Sequence, residues 1–152
     1  MAWVASPTVR ELSGVIFRAN LKGKKCETCG EEFVGYAQLA ALELAEAAEI
    51  VRVGLRDGTA FRFQRKALGY PLATVAEMLC VDIGAVRAWE NDQETIPTSA
   101  LIAMGALVDD RVHGRTNTIE HLRALQQPVE TRERVLPDDL IESLAKTVPA
   151  NG

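Results

Sequence analysis

The stretch "FRFQRKALGYPLATVAEMLCVDIGAVRAWENDQETIP", residues 61–97, contains three short segments with apolar periodicity, separated by residues that end or begin helices. Gly69 ends the first segment and Pro71 begins the second, because glycine favours the end of a helix and proline its first turn. Asp82 precedes the third, and we expect its side chain to cap that helix, which is worth about 1 kcal/mol. Short helices joined by turns of three or four residues predict a helix-turn-helix core.

Apolar residues of this stretch recur at positions that face inward where the second and third helices cross. The residues expected in this interface are Val75, Leu79, Val81, Val86 and Trp89. Ala76 is small enough to let the two helices approach closely. Cys80, at the end of the second helix, is expected to be a small buried hydrophobic residue.

The residues before this stretch predict a β-hairpin followed by one long helix. Ser13-Gly14 is a turn signal between Thr8–Leu12 and Val15–Leu21, and the second run alternates apolar and polar residues with the period of a strand. An alanine-rich helix is expected over about Tyr36–Val53, because "GLRDG" then interrupts the pattern. The glutamates expected on its solvated face are Glu43, Glu46 and Glu49.

The segments "TSALIAMGALVDDRV", "TNTIEHLRALQQ" and "DDLIESLAK" predict further helices. The fold class is therefore expected to be mainly α, with a small N-terminal β-hairpin and a helix-turn-helix bundle. We divide the chain into residues 1–35, the hairpin with a half zinc-knuckle remnant, and 36–58, a connecting helix and linker. Residues 59–115 form the helix-turn-helix domain, and 116–152 form a C-terminal helix and a flexible tail.

The composition limits the classes of function. The chain has 152 residues and a formal net charge of −4, with the acidic excess spread along its length. Most DNA-binding domains are basic, because neutralising phosphates supplies much of their affinity, so this charge counts against tight non-specific DNA binding. No run of about 18 apolar residues occurs, and the N-terminus lacks the basic start and apolar core of a signal peptide. We therefore expect a cytoplasmic protein that does not contact a membrane.

Residues 61–97 resemble the Xre/Cro-like helix-turn-helix. Together with "CETCGEEF", the alanine-rich helix after it, "GTAFRFQRKALG" and "WEN", they resemble the MqsA (YgiT-type) family of antitoxins and transcription regulators, over about Val15–Arg115. The resemblance implies a homodimer that binds a palindromic operator, such as its own promoter, through the helix at residues 83–91. It also implies a toxin partner contacted by the N-terminal region, and a partly buried ion pair between Arg65 and Glu90.

Few residues of this expected recognition helix can hydrogen-bond to bases. Its outward positions are expected to be Ile83, Gly84, Ala85, Arg87, Ala88 and Asn91. Base edges are recognised by hydrogen-bonding side chains, so only Arg87 and Asn91 qualify, while Ile83 could contact a thymine methyl group. The resembling domains usually have polar residues in place of Gly84 and Ala88. The candidates for phosphate contacts are Arg62, Gln64, Lys66 and Arg87.

The same outward residues support a second hypothesis, in which the helix-turn-helix is a protein-interaction module without sequence-specific DNA binding. Small and apolar residues such as Ile83 and Ala88 let another protein surface, of a toxin or a second copy, approach closely. Leu72 stands where Xre-like domains commonly have glutamine and would belong to this contact. DNA affinity that does not fall with salt would favour this hypothesis, because phosphate binding weakens steeply as salt rises.

Cys26 and Cys29 have the spacing of half a zinc knuckle. A structural zinc ion takes four ligands, and His113 and His121 lie far along the chain. Three interpretations remain: a relic that keeps the shape of the turn, a zinc ion shared between two chains, or a redox pair. An odd number of cysteines, three in all, predicts no disulfide framework, and no other cofactor is expected.

The sequence carries no convincing catalytic set. It lacks a glycine-rich phosphate loop after a strand, and the HExxH and GxSxG motifs are absent. We therefore do not expect an enzyme.

Overall fold

The computed structural model describes residues 1–130 and 133–150. Within those ranges the chain forms a three-stranded antiparallel sheet at its N-terminal end, followed by seven helices. The strands are β1 (Ala2–Leu12), β2 (Val15–Lys25) and β3 (Glu32–Val34), and the helices are α1 (Tyr36–Val53), α2 (Gly58–Leu68), α3 (Leu72–Met78), α4 (Ile83–Glu90), α5 (Thr98–Val112), α6 (Asn117–Leu125) and α7 (Asp138–Ala145). The predicted N-terminal hairpin and the helices after it are thus confirmed, in a mixed fold that combines an antiparallel sheet with helices. None of the described helices is long and apolar enough to cross a bilayer.

The hairpin is longer than the sequence indicated, because both strands extend to 11 residues. Ser13 and Gly14 have φ values of 51° and 84°, which is the left-handed turn that matches the twist of a two-residue hairpin. The sheet order is β1-β2-β3, so β2 is central. β3 was not predicted, since three residues are too few to show a periodicity; it pairs with the end of β2, with Gly23 opposite Val34.

Helices α1 to α5 enclose the hydrophobic core. Its largest fully buried side chains are Phe61, Ile50, Met104, Val75, Val86 and Val108. The ring of Trp89 meets that of Phe61 edge to face, with centroids 6.0 Å apart. Of the positions expected between α3 and α4, Val75, Ala76, Val86 and Trp89 are buried, and Leu79 and Val81 are half-buried against the core. Helix α1 contributes Ala47 and Ile50 to the buried residues.

An ion pair between the half-buried Arg10 and the buried Glu46 joins the sheet to α1. Glu46 was expected on a solvated face, but this was wrong: it is 3% exposed because the hairpin covers that side of the helix. Arg10 Nε of β1 lies 3.0 Å from Glu46 Oε2, at an angle outside hydrogen-bonding geometry, so the contact is an ion pair. The same guanidinium lies over the ring of Phe63, 5.1 Å from its centroid. Arg10 therefore connects the hairpin to two helices.

The turn between α3 and α4 corrects two expectations. Cys80 is exposed rather than buried, and its φ of 54° explains why glycine would suit this position. Asp82 occupies the residue before α4, but its side chain caps no backbone N–H. The N–H of Ala85 donates to the backbone carbonyl of Asp82 at 2.9 Å, so this donor is already satisfied and the carboxylate remains in solvent.

Asp110 links α5 to α6. Its carboxylate is buried and accepts a hydrogen bond of 2.7 Å from the N–H of Thr118, in the first turn of α6. Arg115 Nε donates to its other oxygen at 3.3 Å. These bonds, the one from Thr118 first, hold the pKa of Asp110 below its ordinary value of 3.8. A carboxylate that caps a helix from another element fixes the two helices relative to each other.

Gly58 brings the start of α2 against the end of α4. A Cβ at this residue would lie 2.5 Å from the carbonyl oxygen of Glu90 and against that of Trp89. The N–H of Gly58 donates to Asp92 Oδ1 at 2.7 Å. Any side chain at this position would clash with backbone atoms of Trp89 and Glu90, which cannot move aside as a flexible side chain can, so only glycine fits.

We predict that Gly58→Ala and Gly84→Ala change stability in opposite directions. Gly58→Ala should lower the free energy of unfolding by about 3 kcal/mol, as overpacking against fixed atoms does. Gly84→Ala, in open space on α4, should raise it by about 0.5 kcal/mol, because alanine favours helix. Urea denaturation followed by circular dichroism measures both, and equal effects would contradict the close approach at Gly58.

We predict that Asp110→Asn destabilises the protein near neutral pH and much less in acid. Because the folded pKa of Asp110 is lowered, its contribution is complete above the unfolded pKa and is lost as pH falls through the folded pKa. Denaturation midpoints at about pH 7 and about pH 2.5 should show this convergence of variant and wild type. Asp82→Asn, at an exposed aspartate whose side chain makes no capping hydrogen bond, is the control and should change the midpoint less.

Candidate nucleic-acid interface

Helix α4 is held at its C-terminal end by the carboxylate of Glu90. Arg65 of α2 donates to both of its oxygens, from Nε at 2.5 Å and from Nη2 at 3.0 Å. Both side chains are buried, at 10% exposed for Arg65 and 3% for Glu90. Arg65 also donates to the carbonyl of Tyr70 at 2.9 Å, which ties in the turn before α3. The pair that the resemblance implied is thus present as a bidentate contact, which fixes orientation as well as distance.

Arg62 makes a second contact at the same place. Its Nη2 donates to Asn91 Oδ1 at 2.8 Å, and its Nε lies 3.3 Å from Glu90 Oε2. Two of the candidate DNA contacts, Arg62 and Asn91, therefore bind each other. The amide nitrogen of Asn91, which is exposed, still offers its hydrogens, and Arg62 is 42% exposed. Each keeps only part of its hydrogen-bonding capacity for a ligand.

The opposite side of α4 faces solvent. Ile83 is 41% exposed, and Gly84 and Arg87 are exposed as well. Ala85 and Ala88 are half-buried beneath them. Arg87 has no ion-pair partner among the described residues, and neither does the exposed Lys66 of α2. These two side chains are the cations most available to a phosphate or a base.

Gln64 was proposed as a phosphate contact, and this was wrong. Its side chain is 4% exposed, because the buried side of α2 runs through positions three and four residues apart. The buried members of that stripe are Ala60, Phe61, Gln64, Arg65 and Leu68. Gln64 instead lines the inner end of a cleft of about 570 Å³ between α1 and α5. It cannot reach a ligand on the α4 surface.

The charge around α4 is mixed. Beside the exposed Arg87 and Lys66, the exposed acids Asp82 and Glu94 flank the two ends of the helix. Negative charge near the phosphates lowers non-specific affinity, so a polyanion would bind weakly outside a specific geometry.

One residue that positions α4 gave no signal in the sequence. Asp92, at φ 55°, accepts the N–H of Gly58 and so ties the loop after α4 to the start of α2. The two residues are 34 apart in the chain, and a loop aspartate has many ordinary roles. Only the tertiary structure identifies this contact.

The Cys26–Cys29 pair lies in the tight turn between β2 and β3. The N–H of Gly30 donates to the carbonyl of Cys26 at 2.9 Å, and Gly30 has a φ of 74°. Hydrogen bonds from the backbone of Cys29 and Thr28 lower the pKa of the Cys26 thiol to about 7. The turn thus stabilises a thiolate, as a zinc knuckle or a redox pair would require.

The described residues do not complete a metal site around this pair. They contain no cluster of three or more His, Cys, Asp or Glu side chains that could hold a metal ion. Two thiolates are half of the ligand set of a structural zinc ion, so the residues of one chain do not fit this group. His113 and His121 are exposed on the helical part and do not join the turn.

Comparison with known proteins identifies no relative: no family model matches the chain, and no curated protein or solved structure shows significant similarity to it.

We predict that Glu90→Ala destabilises the fold far more than Arg62→Ala. Removing the carboxylate leaves Arg65 buried without its partner, which costs about 3–5 kcal/mol. Arg62 is partly exposed, so its removal should cost about 1 kcal/mol or less. The free energies of unfolding in urea test this, and similar losses for both variants would show that the Arg65 contact is not the anchor.

Proposed function

We propose that this protein is a DNA-binding transcription regulator of the antitoxin type, acting as a homodimer through α4. The observation that carries the proposal is the arrangement of α2, α3 and α4: a short turn joins α3 to α4, and the ion pair of Arg65 and Glu90 fixes α4 against α2. Ile83, Gly84 and Arg87 are left exposed on its other side. These features support the proposal that residues 61–97 act as an Xre/Cro-like helix-turn-helix, as their resemblance implies.

Docking of α4 in the major groove would use few base contacts. The side chain of Arg87 has no hydrogen-bond or ion-pair partner among the described residues, and a bidentate contact from arginine to guanine is worth about 1–3 kcal/mol of discrimination. Gly84 carries no side chain, so the backbone of α4 can approach the bases closely. Lys66 is an exposed cation of α2 that a phosphate could contact, and Ile83 offers an apolar contact to a thymine methyl group.

A homodimer compensates for the sparse contacts of one helix. Two copies of α4 would meet half-sites separated by about one helical turn of DNA, about 34–36 Å. Doubling the contacts of Arg87 and Lys66 doubles the number of phosphates neutralised, which strengthens the dependence of affinity on salt. The operator would be palindromic, and the promoter of the gene that encodes this protein is the first candidate for its location. A toxin partner held by the N-terminal region remains part of the proposal through the MqsA-like resemblance.

A second candidate function is a protein-interaction module that does not recognise a DNA sequence. The observation that favours it is a set of apolar and small side chains on α3 and α4. Ile83 of α4 is 41% exposed, and Leu72 of α3 and Ala88 of α4 are half-buried. A partner helix could pack on such a surface, because small residues permit close approach. The exposed acids Asp82 and Glu94 would repel DNA but not a neutral or basic protein.

We predict that Arg87→Ala removes sequence-specific DNA binding. Fluorescence anisotropy with duplex DNA from upstream of the gene, beside an unrelated duplex, measures this at about 50 and about 200 mM salt. The wild type should prefer the upstream duplex and weaken steeply with salt, and the variant should lose about 1–3 kcal/mol and the preference.

Arg52→Ala is the matched control and should bind like the wild type. It removes an exposed arginine of α1 whose ion-pair partner among the described residues is Glu49. If Arg87→Ala leaves affinity and preference unchanged, groove docking by α4 is wrong. If neither duplex binds at either salt, the protein-interaction module becomes the better account.

A further inference from the structure

One face of the sheet is entirely exposed. We call it the outer face; it comprises the β1 side chains of odd number, the β2 side chains of even number, and Phe33 of β3, which lies opposite Lys24. Its members are Trp3, Ala5, Pro7, Val9, Glu11, Ile16, Arg18, Asn20, Lys22, Lys24 and Phe33, all of them exposed. The inner face packs towards α1 and α2, so the fold itself does not cover the outer face.

A row of two aromatic side chains and a lysine crosses the outer face. Trp3 pairs with Lys24, and Lys24 pairs with Phe33 on the other side. Trp3 is 67% exposed and Phe33 45% exposed, and Lys24 Nζ lies 4.9 Å from the centre of the Trp3 ring. Neighbouring strands are about 4.8 Å apart, so the two rings stand about 10 Å from each other on one surface. These exposed rings are not packed in the hydrophobic core, so the bases of a ligand could stack on them.

Cations continue from this row along the central strand. Lys22 and Arg18 follow Lys24 on the same face, about 7 Å and about 20 Å along β2. The acid on the face itself is Glu11, at the end next to the hairpin turn. Glu27, beyond the other end, is near the N-terminal ammonium group at 3.8 Å. In a chain of net charge −4, three aligned cations against one acid make a surface complementary to a polyanion.

The free edge of β1 argues against a partner that adds a strand. Leu12 and Val15 flank the two-residue turn and form a hydrogen-bonded pair. Hydrogen-bonded and non-hydrogen-bonded pairs alternate along the ladder, so Pro7, opposite Asn20, is in a non-hydrogen-bonded pair. The backbone groups of β1 residues in such pairs point away from β2, towards the free edge. Proline has no N–H, so the middle of the edge lacks the donor that an added strand needs. An occupant would therefore lie on the outer face rather than add a strand along the middle of the β1 edge.

We propose that the outer face binds single-stranded nucleic acid, with bases stacked on Trp3 and Phe33 and phosphates held by Lys24, Lys22 and Arg18. Aromatic rings beside a line of cations are the elements by which proteins hold single strands with little sequence preference. Lys24, between the two rings, neutralises the phosphate that joins two stacked bases. This site is separate from α4, and its existence does not depend on the docking of α4 in duplex DNA.

The test measures the anisotropy of fluorescein-labelled 12-mers of uridine and of thymidine, added to the full chain. Trp3→Ala should weaken binding about tenfold, because stacking of one base contributes that much. Lys24→Glu should weaken it by a similar factor and flatten the salt dependence, whose slope for three phosphate contacts is about −2. Lys25→Ala, one residue along β2 and on the other face, is the matched control and should bind as the wild type does. Preference for the uridine strand would identify RNA as the ligand.

The proposal is overturned if neither 12-mer binds, or if Trp3→Ala and Lys25→Ala are indistinguishable. It is also overturned if Trp3→Ala leaves the affinity for both 12-mers unchanged but converts a dimer to a monomer in sedimentation velocity, since a second copy would then cover the face. Arg87→Ala separates this site from α4: it should leave the affinity for the single strands unchanged. Circular dichroism of each variant shows whether the hairpin and helices are retained.

Discussion

The carboxylate of Glu90, buried between two guanidinium groups, is the interaction on which the helical part of the molecule depends. It receives two hydrogen bonds from Arg65 and faces Arg62, and Arg65 in turn holds the turn at Tyr70. A buried carboxylate is stable only when hydrogen bonds and opposite charges replace the hydration that it loses on burial. The orientation of α4 follows from this pair together with the close approach of Gly58.

The ion pair fixes the C-terminal end of α4 and leaves the side away from α2 exposed. The side chains on that exposed side determine how well α4 could bind DNA. Arg87 of α4 and Lys66 of α2 are exposed positive charges, and Gly84 permits close approach to the backbone of α4. The side-chain oxygen of Asn91 already accepts a hydrogen bond from Arg62. The net charge is against strong non-specific attraction to DNA, so affinity would have to come from paired half-sites and a fitted surface. The sheet differs from this: its outer face places Lys24, Lys22 and Arg18 on one surface with the exposed rings of Trp3 and Phe33.

The sequence predicted the elements whose signals are local. The helix over Tyr36–Val53 and the turn at Ser13-Gly14 were placed correctly, since periodicity, glycine and proline act over a few residues. Predictions from the sequence were wrong for residues whose burial is set by parts of the chain far away in sequence. Glu46 was expected on the solvated face of α1, but the hairpin covers it. Gln64 is polar, yet it lies in the buried stripe of α2. The contact of Asp92 with Gly58 spans 34 residues and leaves no pattern to find.

A 15N–1H NMR titration of the full chain with the upstream duplex tests whether duplex DNA binds to α4. If it does, the amides of Gly84, Arg87 and Asn91 will shift in proportion to bound DNA, while amides of α5 such as that of Ile102 stay in place. Shifts confined to the sheet or to α5, with α4 unaffected at saturation, would contradict binding to α4.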